Sequence, residues 1–143
     1  MTEKPFEYTY DEIEIGLSTQ FEVLITESMV KNFANISGDY SPIHMDEIYA
    51  KSTTFEKRVV HGMLLASFFS RVDGMYLPGK HALYFSQNIE FRNPCFIGDK
   101  VKVYSKVIDK SDSTKILKIE STITNQDNKI LVYGIGRVIV RDD

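Results

Sequence analysis

The chain has 143 residues, of which 43% are hydrophobic and 26% charged, and its formal net charge is -3 at pH 7. These values are typical of one globular domain, and we take residues 1–143 as a single domain. The negative charge argues against nucleic-acid binding, which needs a clustered basic surface. No apolar run approaches the roughly 20 residues that span a bilayer, so no membrane partner is expected.

The cellular compartment is indicated by one cysteine and by the start of the chain. Cys95 is the single cysteine and forms no internal disulfide, which suits a reducing compartment. Residues 1–5 are polar and lack the apolar core of a signal peptide. We therefore expect a cytoplasmic protein.

The first part of the chain predicts an extended segment followed by a helix. Residues 1–10 predict a loosely held arm, and residues 13–16 predict a brief extended piece closed by a glycine turn. The β-rich residues 20–25 predict a strand. Thr26 then offers an N-cap to an amphipathic stretch that ends at Gly38, so a helix of about three turns is expected.

The centre of the chain predicts a buried helix. Between Val59 and Ser70 there is no Asp, Glu, Lys or Arg. A helix that is apolar nearly all round belongs in a core. We expect it to begin at His61, to continue to about Tyr76 and to end before the proline turn at 77–79.

The remaining residues predict antiparallel strands at 83–91, 100–108, 117–123 and 130–140, joined by short polar turns. In the second of these, alternate residues face one way: Val101, Val103, Ser105 and Val107. Together the elements predict an α+β domain of the hotdog type, in which a curved antiparallel sheet wraps around a central apolar helix. Such a sheet has an open edge that a second copy can cover, so a homodimer is expected.

A loop with unusual chemistry joins the two predicted helices. It places Asp39, Pro42 and His44 just before a short predicted helix at 46–51. Turn-forming residues beside titratable groups are typical of a loop that positions chemistry. A spacing of five residues does not put Asp39 and His44 on one helical face, but a turn containing Pro42 can fold them together.

Three blocks of the chain resemble one family. Residues 37–44 (Ser-Gly-Asp-Tyr-Ser-Pro-Ile-His) resemble the signature of the MaoC-like, or (R)-specific enoyl-CoA hydratase, family. Residues 59–67 (Val-Val-His-Gly-Met-Leu-Leu-Ala-Ser) and 91–99 (Phe-Arg-Asn-Pro-Cys-Phe-Ile-Gly-Asp) resemble its second and third blocks, in the same order. The resemblance covers nearly the whole chain.

The resemblance implies a hotdog-fold lyase of fatty acid metabolism. Its expected reaction is reversible hydration of a trans-2-enoyl thioester to an (R)-3-hydroxyacyl thioester. The acyl group would be carried on CoA or on an acyl carrier protein, so that CoA or phosphopantetheine is part of the substrate and no separate cofactor is expected. Acyl chain length, the carrier and the direction of the reaction in the cell are not determined by these blocks.

The same resemblance implies roles for individual residues. Asp39 and His44 match the catalytic pair, which would hold one water molecule. Gly62 matches the glycine whose backbone amide stabilises the oxyanion, and Ser70 matches a serine that supports the catalytic Asp. Ser41 stands where the family usually has Asn, and its side chain can fix the turn by weaker hydrogen bonds to the backbone.

Several other residues have open interpretations. His61 is expected to cap the central helix or to pack at its start. A metal site from Asp39, His44, Asp46 and His61 would lack a recognised ligand spacing, so no metal is expected.

Two other residue pairs, one cationic and one of glycines, also suggest possible binding sites. Lys57 and Arg58 could meet the phosphates of a carrier, although adjacent cations are usually solvated. Gly134 and Gly136 lie in a predicted strand with no helix after it, which favours a bulge or close packing over a dinucleotide site.

Two other functions compete with the hydratase. A hotdog thioesterase would direct water at the thioester carbonyl, but such enzymes generally place an acid on the central helix, and none lies between His61 and Ser70. A domain that only binds acyl thioesters would not need Asp39 and His44, and both are present.

Overall fold

The computed structural model describes residues 3–143. The helices are α1 (Glu27–Ser37), α2 (Pro42–Met45), α3 (Glu47–Lys51) and α4 (Gly62–Arg71). The strands are β1 (Ser18–Leu24), β2 (Ala82–Gln87), β3 (Glu90–Phe91), β4 (Lys100–Ser111), β5 (Ile116–Thr124) and β6 (Ile130–Val140). Within residues 3–143, no helix is both long enough and apolar enough to cross a bilayer.

All six strands form one antiparallel sheet. The strand order is β1-β4-β5-β6-β2, and the short β3 also pairs with β6. β4, β5 and β6 are the long central strands that the sequence predicts as a meander. β1 and β2 lie at the two ends of this order, so each presents one strand edge without a partner in the described chain.

Alternate positions of the long strands build the core on the inner face of the sheet. In β4 the predicted buried set is confirmed, and in β5 the residues Leu117, Ile119 and Ile123 are buried in the same way. Against this face lies α4, which buries Leu65 and Phe69 in the same apolar cluster. The α+β hotdog fold, a curved antiparallel sheet around a central helix, is therefore confirmed.

The central helix differs from its prediction in two ways. It is α-helical over Gly62–Arg71 and continues as one π-helical turn over Val72–Tyr76. It is also not buried all round, because Met63, Ser67 and Ser70 form an exposed stripe along it. The sequence does not indicate this exposed stripe, because methionine and serine carry no charge that would mark a solvent-facing side of the helix.

Other differences are local. The strand predicted at 83–91 is two strands, since the chain leaves the sheet between β2 and β3. The piece at 13–16 begins extended at Ile13 and closes in the predicted turn, with Gly16 at φ 99°, but it joins no strand. Within the predicted arm, Tyr10 starts a short 3-10 helix and is buried. Met1 and Thr2, the start of the polar segment, lie outside the described residues.

Candidate active site

The turn that carries Asp39 is held by its own side chains. α1 ends at Gly38, whose left-handed backbone (φ 78°) lets its N–H donate to the carbonyl of Ala34. The carboxylate Oδ1 of Asp39 then accepts the N–H of Ser41 at 3.1 Å, a local Asp turn. The Ser41 side chain makes no capping hydrogen bond, so the carboxylate fixes this turn without the Ser41 hydroxyl.

Pro42 is the first residue of α2, and the turn before it places the side chain of His44 opposite that of Asp39. The Nδ1 of His44 lies 2.6 Å from the carbonyl oxygen of Val59. A carbonyl only accepts, so Nδ1 carries a proton and donates it, and in this tautomer Nε2 is the acceptor nitrogen of the ring. That Nε2 lies 3.8 Å from Oδ2 of Asp39. Two acceptors therefore face each other with room for a donor between them.

His61 lies beneath this pair and connects it to the central helix. Its ring is 2% exposed and stacks on that of His44, with centroids 4.0 Å apart. Its Nε2 donates to the backbone carbonyl of Asp39 at 3.0 Å. Its Nδ1 is buried and has no hydrogen-bond partner among residues 3–143. Burial lowers the pKa of His61, which keeps the ring neutral near pH 7. His61 thus packs at the helix start without a side-chain capping bond.

Arg58 contacts the loop that carries His44 from the other side. Its Nε donates to the carbonyl of His44 at 2.6 Å, and its Nη1 donates to both carboxylate oxygens of Glu27. The Arg58 side chain is only 11% exposed, so the expectation of two solvated cations is wrong for Arg58. Lys57 instead lies over the ring of Phe96. The sequence offered no sign of this brace, because Glu27 is 31 positions away.

Gly62 is the first residue of α4, where backbone N–H groups have no partner within the helix. A Cβ at this position would lie 2.7 Å from the ring of Phe91, which leaves space only for glycine. Gly62 also lines the cavity described below, so the start of α4 lies at the cavity wall. This is the geometry in which a helix start stabilises negative charge on an oxygen.

Asp39, His44, His61 and Gly62 all line one cavity of about 670 Å³. The rest of the lining is mostly apolar and includes Phe33, Met63, Phe91 and Leu131. Cys95 also lies on this wall, and burial raises the pKa of its thiol to about 12. The thiol therefore stays protonated at neutral pH.

Ser70 is not near these residues within one chain. It lies on the exposed stripe of α4, eight positions after Gly62, and it is not part of the cavity lining. Asp46 is also apart from the site, since its carboxylate caps α3 by accepting the N–H of Tyr49.

The site also contains a set of possible metal donors. One donor atom each from Asp39, His44 and His61 lies within 4.8 Å of the others. The two imidazole rings, however, are stacked with 26° between their planes. Ring lone pairs lie in the ring plane, so nearly parallel stacked rings do not point at a common ion. The arrangement suits proton transfer better than metal binding.

The fold and the site together define a hotdog-fold enzyme in which an Asp and a His face each other in a largely apolar cavity. Comparison with known proteins gives the family. Residues 10–129 match the family model described as MaoC like domain, so the chain belongs to the MaoC-like family.

Curated relatives and solved structures agree with this assignment. The chain is 35% identical to an (R)-specific enoyl-CoA hydratase of Aeromonas caviae, over 85% of this chain and 91% of the relative. It is 36% identical to an (R)-specific enoyl-CoA hydratase of Rhodospirillum rubrum, over 92% and 90% of the two chains. The crystal structure of the (R)-hydratase from A. caviae superposes with a TM-score of 0.88 at 34% identity, covering 90% of this chain and 98% of that one. An R-hydratase from Pseudomonas aeruginosa gives a TM-score of 0.89 at 31% identity, with coverage of 94% and 86%. The protein is thus an enzyme of the hydratase class, a lyase.

Proposed function

We propose that the protein reversibly hydrates a trans-2-enoyl thioester to the (R)-3-hydroxyacyl thioester, using Asp39 and His44 to activate one water molecule. The observation that carries this proposal is the 3.8 Å separation between Nε2 of His44 and Oδ2 of Asp39, both acceptors. A water molecule can donate one hydrogen to each at normal hydrogen-bond distance, about 2.8 Å. Its oxygen lone pair is then directed away from both groups and towards a substrate.

The reaction follows from this arrangement. The water oxygen forms a bond to Cβ of the enoyl group while one of its O–H bonds breaks and the proton passes to the Asp–His pair. The pair delivers a proton to Cα, so that both parts of the water end on the substrate. Negative charge develops on the thioester oxygen in between, and we assign its stabilisation to the backbone amide of Gly62, the first residue of α4.

The acyl group would be carried either on CoA or on an acyl carrier protein. The relatives' names include (R)-specific enoyl-CoA hydratase of Aeromonas caviae and a mitochondrial 3-hydroxyacyl-[acyl-carrier-protein] dehydratase of Arabidopsis thaliana. Both carriers end in the same phosphopantetheine thioester. The proposed reaction needs no further cofactor, and we place it in fatty acid metabolism in the cytoplasm, where the free thiol of Cys95 is stable.

We further propose that the protein is a homodimer formed through β2 and α4. The free edge of β2 carries Leu83 and Phe85, which are 52% and 60% exposed. Pairing this edge with its own copy would continue the sheet and bury both side chains.

Such a two-fold pairing would also pack the α4 helices of the two subunits against each other in antiparallel orientation, with their exposed stripes in contact. With Ser67 midway along the stripe, the partner's Ser70 would approach the Met63 end of the first helix. This supports a role for Ser70 beside the Asp39 of the other subunit.

The activity is tested by the loss of enoyl absorbance with crotonyl-CoA, with thiol release followed in parallel. We expect Asp39→Asn and His44→Ala each to reduce hydration by about a hundredfold or more, as for lost acid–base groups. Asp127→Asn, in an exposed turn, and His81→Ala, in the half-buried turn before β2, are matched controls outside the cavity that should retain activity. Thiol release without hydration would instead identify a thioesterase. Binding of acyl thioesters without turnover, tried over short, long and branched acyl groups, would identify a non-catalytic binding protein.

A further inference from the structure

The side chain of Asp39 is only loosely packed. It is 49% exposed, whereas the His44 side chain opposite it is 17% exposed and stacks on the ring of His61. An acid–base group nevertheless has to be held closely, because a misplacement of about 1 Å can cost a hundredfold in rate. The position of Asp39 therefore depends chiefly on hydrogen bonds.

Three polar groups of Asp39 have hydrogen-bond partners on three different sides. Its backbone N–H donates to Oγ of Ser37 at 3.1 Å. Its backbone carbonyl accepts from Nε2 of His61, and its carboxylate Oδ1 accepts from the N–H of Ser41. The remaining oxygen, Oδ2, is the one that faces His44. The three bonds thus hold the residue and leave its reacting atom towards the histidine.

The bond to Ser37 ties Asp39 to a long helix. Ser37 is the last residue of α1, and Gly38 follows it with a left-handed backbone. The Ser37 hydroxyl donates its hydrogen to the carbonyl of Phe33 at 2.7 Å, one turn earlier in the helix. Its oxygen is therefore fixed as an acceptor for the N–H of Asp39. The hydroxyl links α1 to the turn across Gly38, whose backbone is intrinsically the most flexible there.

The other two bonds do not replace this one. Ser41 belongs to the same turn, so its N–H shapes the turn without fixing where the turn lies. His61, just before α4, holds only the peptide plane that follows Cα of Asp39. Ser37 holds the peptide plane that precedes it. Since a residue has only two soft backbone angles, fixing both planes fixes the direction in which the carboxylate projects.

We propose that Ser37 is a positioning residue for the hydration reaction, whose hydroxyl holds the backbone of Asp39 so that Oδ2 stays opposite His44. This rests on the proposed hydratase function. Ser37 lines the catalytic cavity together with Asp39. A bound thioester would shield their hydrogen bond from water and so strengthen it at the time of reaction.

The first test uses substitutions at Ser37, with crotonyl-CoA as substrate. We expect Ser37→Ala to lower kcat about tenfold with little change in KM, because the hydroxyl acts on a catalytic group and not on the bound thioester. Ser37→Thr should retain most of the native kcat, since a threonine hydroxyl can make the same bond to the preceding turn. Tyr40→Phe is the matched control. It removes an exposed hydrogen bond from the same turn to Asn35 of the same helix, without changing any bond of Asp39.

A double variant separates positioning from a general loss of structure. If the hydroxyl acts through the carboxylate of Asp39, Ser37→Ala should lower kcat much less when Asp39→Asn is already present. An equal loss in both backgrounds would overturn the inference. So would a Ser37→Ala enzyme with native kcat, or a Ser37→Thr enzyme as slow as Ser37→Ala.

The hold on the backbone is also measurable without turnover, by hydrogen exchange of the Asp39 amide in NMR spectra. We expect several-fold faster exchange in Ser37→Ala than in the native protein, and nearly native exchange in Ser37→Thr, because only the alanine variant leaves the amide without its acceptor. Unchanged exchange in Ser37→Ala would overturn the inference whatever the activity. A native protein that does not hydrate any enoyl thioester, but whose Asp39 amide depends on Ser37, would contradict the hydratase function and still support the hold on Asp39.

Discussion

The imidazole rings of His44 and His61 stack with their centroids 4.0 Å apart, and the nitrogen atom of each ring that forms a hydrogen bond has a different partner. His44 is bonded to the carbonyl of Val59, and His61 to the carbonyl of Asp39. Each histidine is therefore fixed by a backbone carbonyl in one tautomer. Burial lowers the pKa of His61, and a positive charge on the stacked His44 ring would lower it further.

The first prediction separates the stack from the hydrogen bond of His61. His61→Gln can keep an N–H for the carbonyl of Asp39 but loses the ring, whereas His61→Phe keeps a ring and loses the donor. Because a misplacement of about 1 Å can cost a hundredfold, we expect His61→Phe to lower kcat by about tenfold or more, with His61→Gln nearer to the native enzyme. The measurement is kcat and KM with crotonyl-CoA across pH. Equal losses in the two variants would show that the hydrogen bond is not what positions Asp39.

The second prediction concerns the brace on His44. Arg58→Lys keeps the positive charge, but an ammonium group does not reproduce the geometry that bonds Glu27 and the carbonyl of His44 together. We expect kcat to fall several-fold with little change in KM. Glu27→Gln should have a smaller effect, because the Glu27 side chain is 61% exposed and exposed ion pairs contribute little. Lys57→Ala is the control. A rise in KM alone for Arg58→Lys would point to carrier binding instead.

The third prediction uses the contact between Gly62 and Phe91. Gly62→Ala would place its Cβ 2.7 Å from the Phe91 ring, so the ring must move within the cavity wall. We expect a clear loss of activity that the double variant Gly62→Ala/Phe91→Ala partly restores, relative to Phe91→Ala alone. A loss of the same size in both backgrounds would mean that the Cβ acts on the helix start itself. Steady-state rates of the four proteins form the cycle.

The fourth prediction concerns pH and stability. Asp73 has a pKa of about 8 in the folded chain, against an ordinary value of 3.8. Between these values the unfolded chain ionises Asp73 while the folded chain does not, so its contribution to stability falls as pH rises from about 4 to 8. Asp73→Asn should remove this fall. Thermal melting of the native protein and of Asp73→Asn from pH 5 to 9 measures this fall in stability. The lowered pKa of His61 has the opposite effect on stability, but it acts in both proteins and cancels when their melting temperatures are subtracted. Parallel curves would contradict the burial of an uncharged Asp73.

The sequence predicted much of this protein because local rules agreed with the global fold. The alternation of β4 identified its buried face, and the uncharged stretch after Val59 identified the central helix. Turn residues beside titratable groups indicate a functional loop at 39–44, the family resemblance implies the pair Asp39 and His44 within it, and the structure brings these two side chains together. Each of these signals lies within a few consecutive residues, where periodicity and turn chemistry are directly readable.

What only the tertiary structure decided are the relationships between distant residues. The tautomer of His44 depends on a carbonyl fifteen positions away, and the Arg58 brace depends on Glu27. The exposed stripe of α4 and the packing of Gln87 against Gly134 depend on which elements become neighbours in the sheet. Hydrogen bonds and close contacts of this kind act over about 3 Å in space at any separation along the chain. The residue types could therefore be read in advance, but their partners were set by the fold.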